Sequence, residues 1–192
     1  MTSGAEAVVS SATALAQIRV WLAEIVVGLN LCPFARPLLA ADNLRIEICH
    51  LTSTEALRNA FLGELDLLQR SSEEDIATTL LVFPMALGNF QDYLDFLDDA
   101  QALLAETGLE GVVQLASFHP DYQFAGEPAA GPGHYSNRSP YPVLHLLRED
   151  MLSRVLADGA DPDEIPQRNI ATLEAIGTEQ LQRRWHELFS QS

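Results

Sequence analysis

The chain has 192 residues, 47% of them hydrophobic, which is enough for one full core with at most a small appendage. Its formal net charge is −16, and all eleven basic residues are arginine, with no lysine anywhere. That balance repels phosphate backbones and anionic lipid surfaces, so nucleic acid and membrane partners are not expected, and the missing lysine removes Schiff-base chemistry.

Two cysteines, Cys32 and Cys49, are too few for a disulfide framework. The first sixteen residues lack the basic and apolar regions of a secretory signal. The most apolar run, Trp21 to Phe34, is broken by Glu24 and Asn30 and is too short and polar to span a bilayer. These features predict a cytoplasmic protein with reduced thiols.

Residues 1–11 read as a frayed tail. From Thr13, apolar residues at Leu15, Ile18, Leu22, Ile25, Val26 and Leu29 follow the spacing of an amphipathic helix. Gly28 and Asn30 can take the left-handed conformation that ends it, and Pro33 and Pro37 are expected to prevent its resumption. Leu44 to Leu51 alternates partly and reads as a strand. Thr52 and Glu55 form a capping-box pattern before a helix with Leu57, Phe61, Leu65 and Leu68 on one face. The run Ile76 to Phe83 suits a strand buried on both faces. Asn89 caps a further helix that Gly108 stops, and Val112 to Phe118 is a third strand.

Beyond Phe118 the spacing predicts a long polar loop over 119–138. A helix follows over Pro140 to Ala157, capped by Ser139. A turn-rich linker is predicted over 158–166, then a short helix near Ile170–Ile176 and a last helix from Thr178. The expected fold is therefore α/β: one domain with a small, mainly parallel three-stranded sheet flanked by helices, and a helical C-terminal third.

In such sheets ligands bind beyond the carboxyl ends of the strands. The three strands end in Cys49-His50, Phe83-Pro84-Met85 and Phe118-His119-Pro120-Asp121. An imidazole and a carboxylate two residues apart suit a general base with its orienter, or two metal ligands. The same residues equally suit a strand-end turn in which Asp121 caps backbone amides. Asn137, Arg138 and Ser139 before a helix could gather an anion, although Pro140 and Pro142 remove two of the amides; a plain cap is the alternative. In that helix Tyr141, His145 and Arg148 share a stripe that could line a pocket. His145 and Glu149 are spaced for a metal, but no His-Glu-x-x-His pattern accompanies them, so no metal is assigned.

Cys32 follows a helix C-terminus among apolar neighbours, where the dipole raises a thiol pKa; a buried structural thiol is the expectation. Trp21 and Trp185 fit core faces.

Four blocks, Gly28-Leu-Asn-Leu-Cys-Pro-Phe-Ala35, Phe118-His-Pro-Asp-Tyr-Gln-Phe-Ala125, Asn137-Arg-Ser-Pro-Tyr-Pro142 with His145-Leu-Leu-Arg-Glu149, and Ile165-Pro-Gln-Arg-Asn-Ile-Ala-Thr172, resemble an uncharacterised bacterial family of single-domain proteins of about this length. The resemblance implies a cytoplasmic bacterial protein and adds Arg168 and Asn169 to the polar positions of interest.

The leading expectation is a small-molecule enzyme for a polar, anionic substrate. His119 and Asp121 would be its acid/base pair, and Asn137, Arg138, Ser139, Tyr141, His145 and Arg148 its substrate contacts. The alternative is a non-catalytic module that binds a metabolite, a metal or a protein through the same loop. A third reading has these polar groups only bracing the loop. No residue pattern specifies a cofactor or an oligomeric state.

Overall fold

The computed structural model describes residues 9–157 and 164–190. Most of the expected tail and most of the expected linker, residues 1–8 and 158–163, lie outside the described residues. Ser10 opens helix α1 (Ser11–Trp21) by accepting the Thr13 amide at 3.1 Å. The helix continues over Leu22–Val27 as a wider π-helical turn. There the Gly28 N–H reaches back five residues to the Ala23 carbonyl, and the Leu31 N–H to that of Val26, both at 2.9 Å.

Gly28 has an ordinary helical φ of −62°. Its role is spatial: a Cβ there would sit 2.3 Å from the Glu24 carbonyl oxygen. Asn30 alone takes the left-handed turn, at φ 53°. Contrary to the expectation from the two prolines, a short helix α2 (Ala35–Ala41) follows. Pro37 lies in its first turn, where a missing N–H leaves no helical bond unmade.

The remaining elements are β1 (Leu44–Ile48), α3 (Thr54–Arg70), β2 (Thr78–Val82), α4 (Phe90–Glu106), β3 (Val113–Phe118), a 3-10 turn (Pro132–Ser136), β4 (Val143–Arg148), α5 (Glu149–Ala157), α6 (Glu164–Ile176) and α7 (Thr178–Ser190). Ser53, rather than Thr52, caps α3. Asn89 caps α4 as expected, accepting the Gln91 and Asp92 amides at 2.9 and 3.2 Å.

The expected helix over 140–157 is the main correction. Its first half is strand β4, and the sheet has four strands in the order β1-β2-β4-β3. β1 pairs with β2 in parallel, whereas β4 pairs antiparallel with both β2 and β3. The sheet is thus mixed, not mainly parallel. The three expected strands still share one direction, with β4 inserted against them, so their exits lie on one edge. A short apolar run such as Val-Leu-His-Leu-Leu fits a buried strand or a buried helix equally well. What decides is that the gap between β2 and β3 supplies ladder partners on both sides. Pro142, whose ring biases Tyr141 toward extended backbone, immediately precedes the strand.

The alternation of β4 sends neighbouring side chains to opposite faces. Val143, with Leu80, Val82, Ile46 and Phe118, faces a layer built by Ile18, Trp21, Leu22 and Ile25. Leu173 of α6 and Leu181 and Leu188 of α7 complete that cluster. Leu144 and Leu146, with Leu81 and Val113, face Phe61, Leu65 and Leu68 of α3 and Phe96, Ala100 and Leu104 of α4. The result is a three-layer α/β/α arrangement.

Arg148 ends β4 on the α3 side. Its guanidinium donates to the carbonyls of Leu68, Ser71 (2.8 Å) and Ile76 (3.1 Å), closing the end of α3 and the loop that leads to β2. It therefore shares no stripe with Tyr141 and His145, which was a consequence of the expected helix. Arg148→Ala should lower stability by about 3 kcal/mol, because three carbonyls lose one forked donor. Arg148→Lys should recover less than half of that. Urea denaturation checks both, and an unchanged midpoint for Arg148→Ala would show that the bracket is dispensable.

Candidate functional site

The exit of β3 is held by histidines. His119 is fully buried (0% exposed), and its Nδ1 accepts the Asp121 N–H at 3.0 Å. That leaves the hydrogen on Nε2, which donates to the Leu87 carbonyl at 3.0 Å. The ring packs against Phe90 and Tyr93, with centroids 5.1 and 5.2 Å away. Burial pushes its pKa below the ordinary imidazole value, opposed in part by the bond to Leu87. The Asp121 side chain is exposed and makes no hydrogen bond to this ring.

His134 repeats the pattern fifteen residues on. Its Nδ1 accepts the Phe124 N–H at 3.2 Å and its Nε2 donates to the Pro128 carbonyl at 2.8 Å. The other expected site residues of the loop also turn to backbone. Asn137 donates from Nδ2 to the Ser117 carbonyl at 3.1 Å, and its own carbonyl takes the His119 N–H at 3.1 Å. Ser139, not a helix cap, donates to the Tyr141 carbonyl. Arg138 lies over the Tyr135 ring, 4.6 Å from its centroid, and reaches the Tyr122 carbonyl only at 3.5 Å. The Tyr141 hydroxyl donates to Gln17 of α1. His119 thus bonds through its backbone to Asn137 and Tyr122, and Arg138 reaches the same Tyr122, while Arg148 lies elsewhere.

The one of these residues that lines a cavity together with Asn137 is His145. On β4 it stands opposite Leu80 and Ala116, on the sheet face covered by α1 and α2. The cavity there measures about 180 Å³. Its walls are apolar side chains such as Leu22, Val26, Leu38 and Phe118, joined by Trp21, Cys32, Asn137, His145 and Asn169. The wide turn over Leu22–Val27 supplies two of those walls, and such turns recur at functional sites.

His145 Nε2 lies 2.7 Å from the Thr78 hydroxyl, which itself donates to the Leu146 carbonyl at 2.6 Å. Since that hydroxyl hydrogen is committed, its oxygen accepts from His145 Nε2–H, and Nδ1 keeps a bare lone pair. Burial pushes the ring's pKa down to about 4, so it stays neutral near pH 7.

Four buried side-chain polar atoms have no hydrogen-bond partner among the described residues, and two of them, Trp21 Nε1 and Asn169 Oδ1, belong to residues lining this cavity. Native proteins keep such atoms rare, and each one calls for a partner. Asn169 Nδ2 meanwhile donates to the Leu31 carbonyl at 2.8 Å, tying α6 to the corner before α2.

Cys32, half-buried and free, lies on that corner. Burial pushes its thiol pKa up, while the amides of Phe34 and Ala35 and the nearby Arg168 pull it down by less. The expected neutral thiol is what this environment favours, but it lines a cavity rather than filling the core. Arg168 itself donates to the Asn30 carbonyl at 3.1 Å.

Beside the cavity lies a wider cleft of about 650 Å³, between the loop from Phe124 to Asn137 and α6. The two share Ser136, Asn137 and Asn169. Sequence reasoning placed Trp21 in the core, because an indole on an amphipathic face carries no sign that its N–H lacks a partner. Asn169 stood out only through the resemblance. Among the described residues no group of three or more His, Cys, Asp or Glu side chains is placed to hold a metal ion, and no helix is long and apolar enough to cross a membrane.

Fold and site together define a three-layer α/β protein with an apolar, polar-studded cavity between its sheet and its first helices. Residues 13–183 match the family described as Protein of unknown function (DUF1415), and the chain belongs to that family. No curated protein and no solved structure matches it.

The depressed pKa of His145 has a consequence for stability. An unfolded histidine titrates near 6.5, so as pH falls from there toward 4 the unfolded chain takes a proton that folded His145 refuses. The stability present above pH ~6.5 is lost progressively across that window. His145→Gln should show a shallower fall, by up to one proton, in urea titrations between pH 6.5 and 4.5. Identical slopes in both proteins would show that His145 is not held neutral.

Proposed function

We propose that this chain, working as one domain in the bacterial cytoplasm, binds a small and largely apolar molecule in the cavity between β4 and the α1–α2 corner. The observation that carries this reading is that three residues each holding a polar atom without a protein partner, Trp21, His145 and Asn169, line one apolar space. His145 Nδ1 and Asn169 Oδ1 would accept hydrogen bonds, and Trp21 Nε1 would donate one. Pockets for small molecules combine apolar walls with a few placed polar groups in this way. Cavities of about 150 Å³ accept a benzene-sized ligand, so the size is adequate.

The pair His119–Asp121 has less to support an acid/base role, since backbone groups already occupy both ring nitrogens. If the protein is an enzyme, the imidazole free to exchange a proton with a bound molecule is that of His145, with the Cys32 thiol on the same cavity. Support for an anionic ligand is also weaker, because no arginine lines the cavity. The net charge of −16 continues to favour a small molecule over nucleic acid.

Phenol is a suitable first probe, being an apolar ring with one donor and acceptor. It should shift the Trp21 indole N–H resonance of the native protein and leave that of Trp185, which does not line the cavity, in place. Ala35→Leu, which adds bulk to the cavity wall, should weaken binding by about tenfold or more while leaving the fold intact. A Trp21 resonance that stays fixed in excess phenol would overturn the reading.

A further inference from the structure

The neighbouring cleft has a character the cavity lacks. Glu127, on the loop, and Glu174, on α6, both line it. Both side chains are exposed, and neither carboxylate has an ion-pair or hydrogen-bond partner among the described residues. Asn169, 9% exposed and with its Oδ1 buried and unpartnered, is among the residues lining both the cleft and the cavity. The rest of the shared wall is Ser136 and Asn137, whose side chains bond to each other and to the Gly133 and Ser117 carbonyls and so fix that wall in place.

The cations nearest in sequence do not neutralise the cleft. Arg138 is stacked on Tyr135 and Arg168 is bonded to the Asn30 carbonyl, and neither lines the cleft. His134 does line it, but both of its ring nitrogens are committed to backbone. An excess of 27 acids over 11 bases across the chain adds a long-range field that favours cations.

We propose that cavity and cleft are two halves of one site for an amphipathic amine. Its apolar end occupies the cavity under β4, and its protonated amino group lies in the cleft between Glu127 and Glu174, with the linking atoms crossing at Asn169. This rests on the cavity being a ligand site, as proposed above. It adds the charge of the ligand and the direction in which it lies. Ammonium–carboxylate contacts are charge-assisted and stronger than neutral hydrogen bonds, so the cleft sets selectivity while the cavity supplies apolar burial.

Three probes share one apolar end and differ in the other: 2-phenylethylamine, 2-phenylethanol and 3-phenylpropanoate. Titrated into the full chain at pH 7.5, each is followed through the Trp21 indole N–H resonance, with Trp185 as the internal control. The amine should bind about tenfold more tightly than the alcohol, and the carboxylate more weakly than either. The double variant Glu127→Gln with Glu174→Gln should bring the amine down to the level of the alcohol and leave the alcohol within about twofold of its original affinity. An amine that binds no better than the alcohol, or a preference that survives the double variant, overturns the amine proposal and leaves the cavity reading standing. Failure of all three probes to move Trp21 overturns both.

Discussion

Every ladder bond between the two halves of the sheet passes through β4. β2 and β3 run in the same direction but do not touch; β4 lies antiparallel between them and gives each its partners. A strand in that position must be apolar on both faces, and Val143, Leu144, Leu146 and Leu147 are all buried. The polar residue in its middle, His145, is accepted because Thr78 on β2 stands where it can receive the Nε2 hydrogen. Its last residue, Arg148, anchors the end of α3 from the opposite face. One short strand thus fixes the sheet, supplies the imidazole of the cavity and closes the far helix layer.

The histidines of the 119–145 segment show how backbone decides what an imidazole can do. All three donate from Nε2, to Leu87, Pro128 and Thr78 respectively. In His119 and His134 the other nitrogen receives a backbone amide, from Asp121 and Phe124. The nitrogens of those two rings hold a loop whose prolines and glycines form little regular structure of their own. His145 lies in a strand, where its own backbone amides are already used by the ladder, so no amide is left to turn toward its ring. The nitrogen that remains faces the cavity side of the sheet.

The cavity itself follows from a local widening of the first helix. A π-turn places one extra residue in a helical turn and shifts the side chains after it. Here it brings Leu22 and Val26 around the space, and it brings the Glu24 carbonyl so close to residue 28 that only glycine fits. The chain then turns at Asn30, whose carbonyl is bonded by Arg168, and at Leu31, whose carbonyl is bonded by Asn169. The α6 helix therefore closes the cavity by reading the same corner that carries Cys32, which explains why motifs so distant in sequence meet at one place.

The sequence by itself determined the features that depend on neighbours along the chain. The Asn89 cap, the stripes of α3 and α4, the buried run of β2 and the common direction of β1, β2 and β3 are all local periodicity or simple crossover geometry. It also marked the 119–148 segment as the place where polar residues gather. Only the tertiary structure decided that Val143–Arg148 is a strand, because a run of leucines around one histidine satisfies either conformation until flanking strands offer it hydrogen bonds. Pro37 inside α2 and Gly28 against the Glu24 carbonyl were likewise matters of position within a turn, which residue type alone does not reveal. The same holds for the site. Whether an imidazole, an indole N–H or an amide oxygen has a spare bond depends on which backbone groups reach it from elsewhere in the fold, and that is set by packing between elements rather than by the residues beside it.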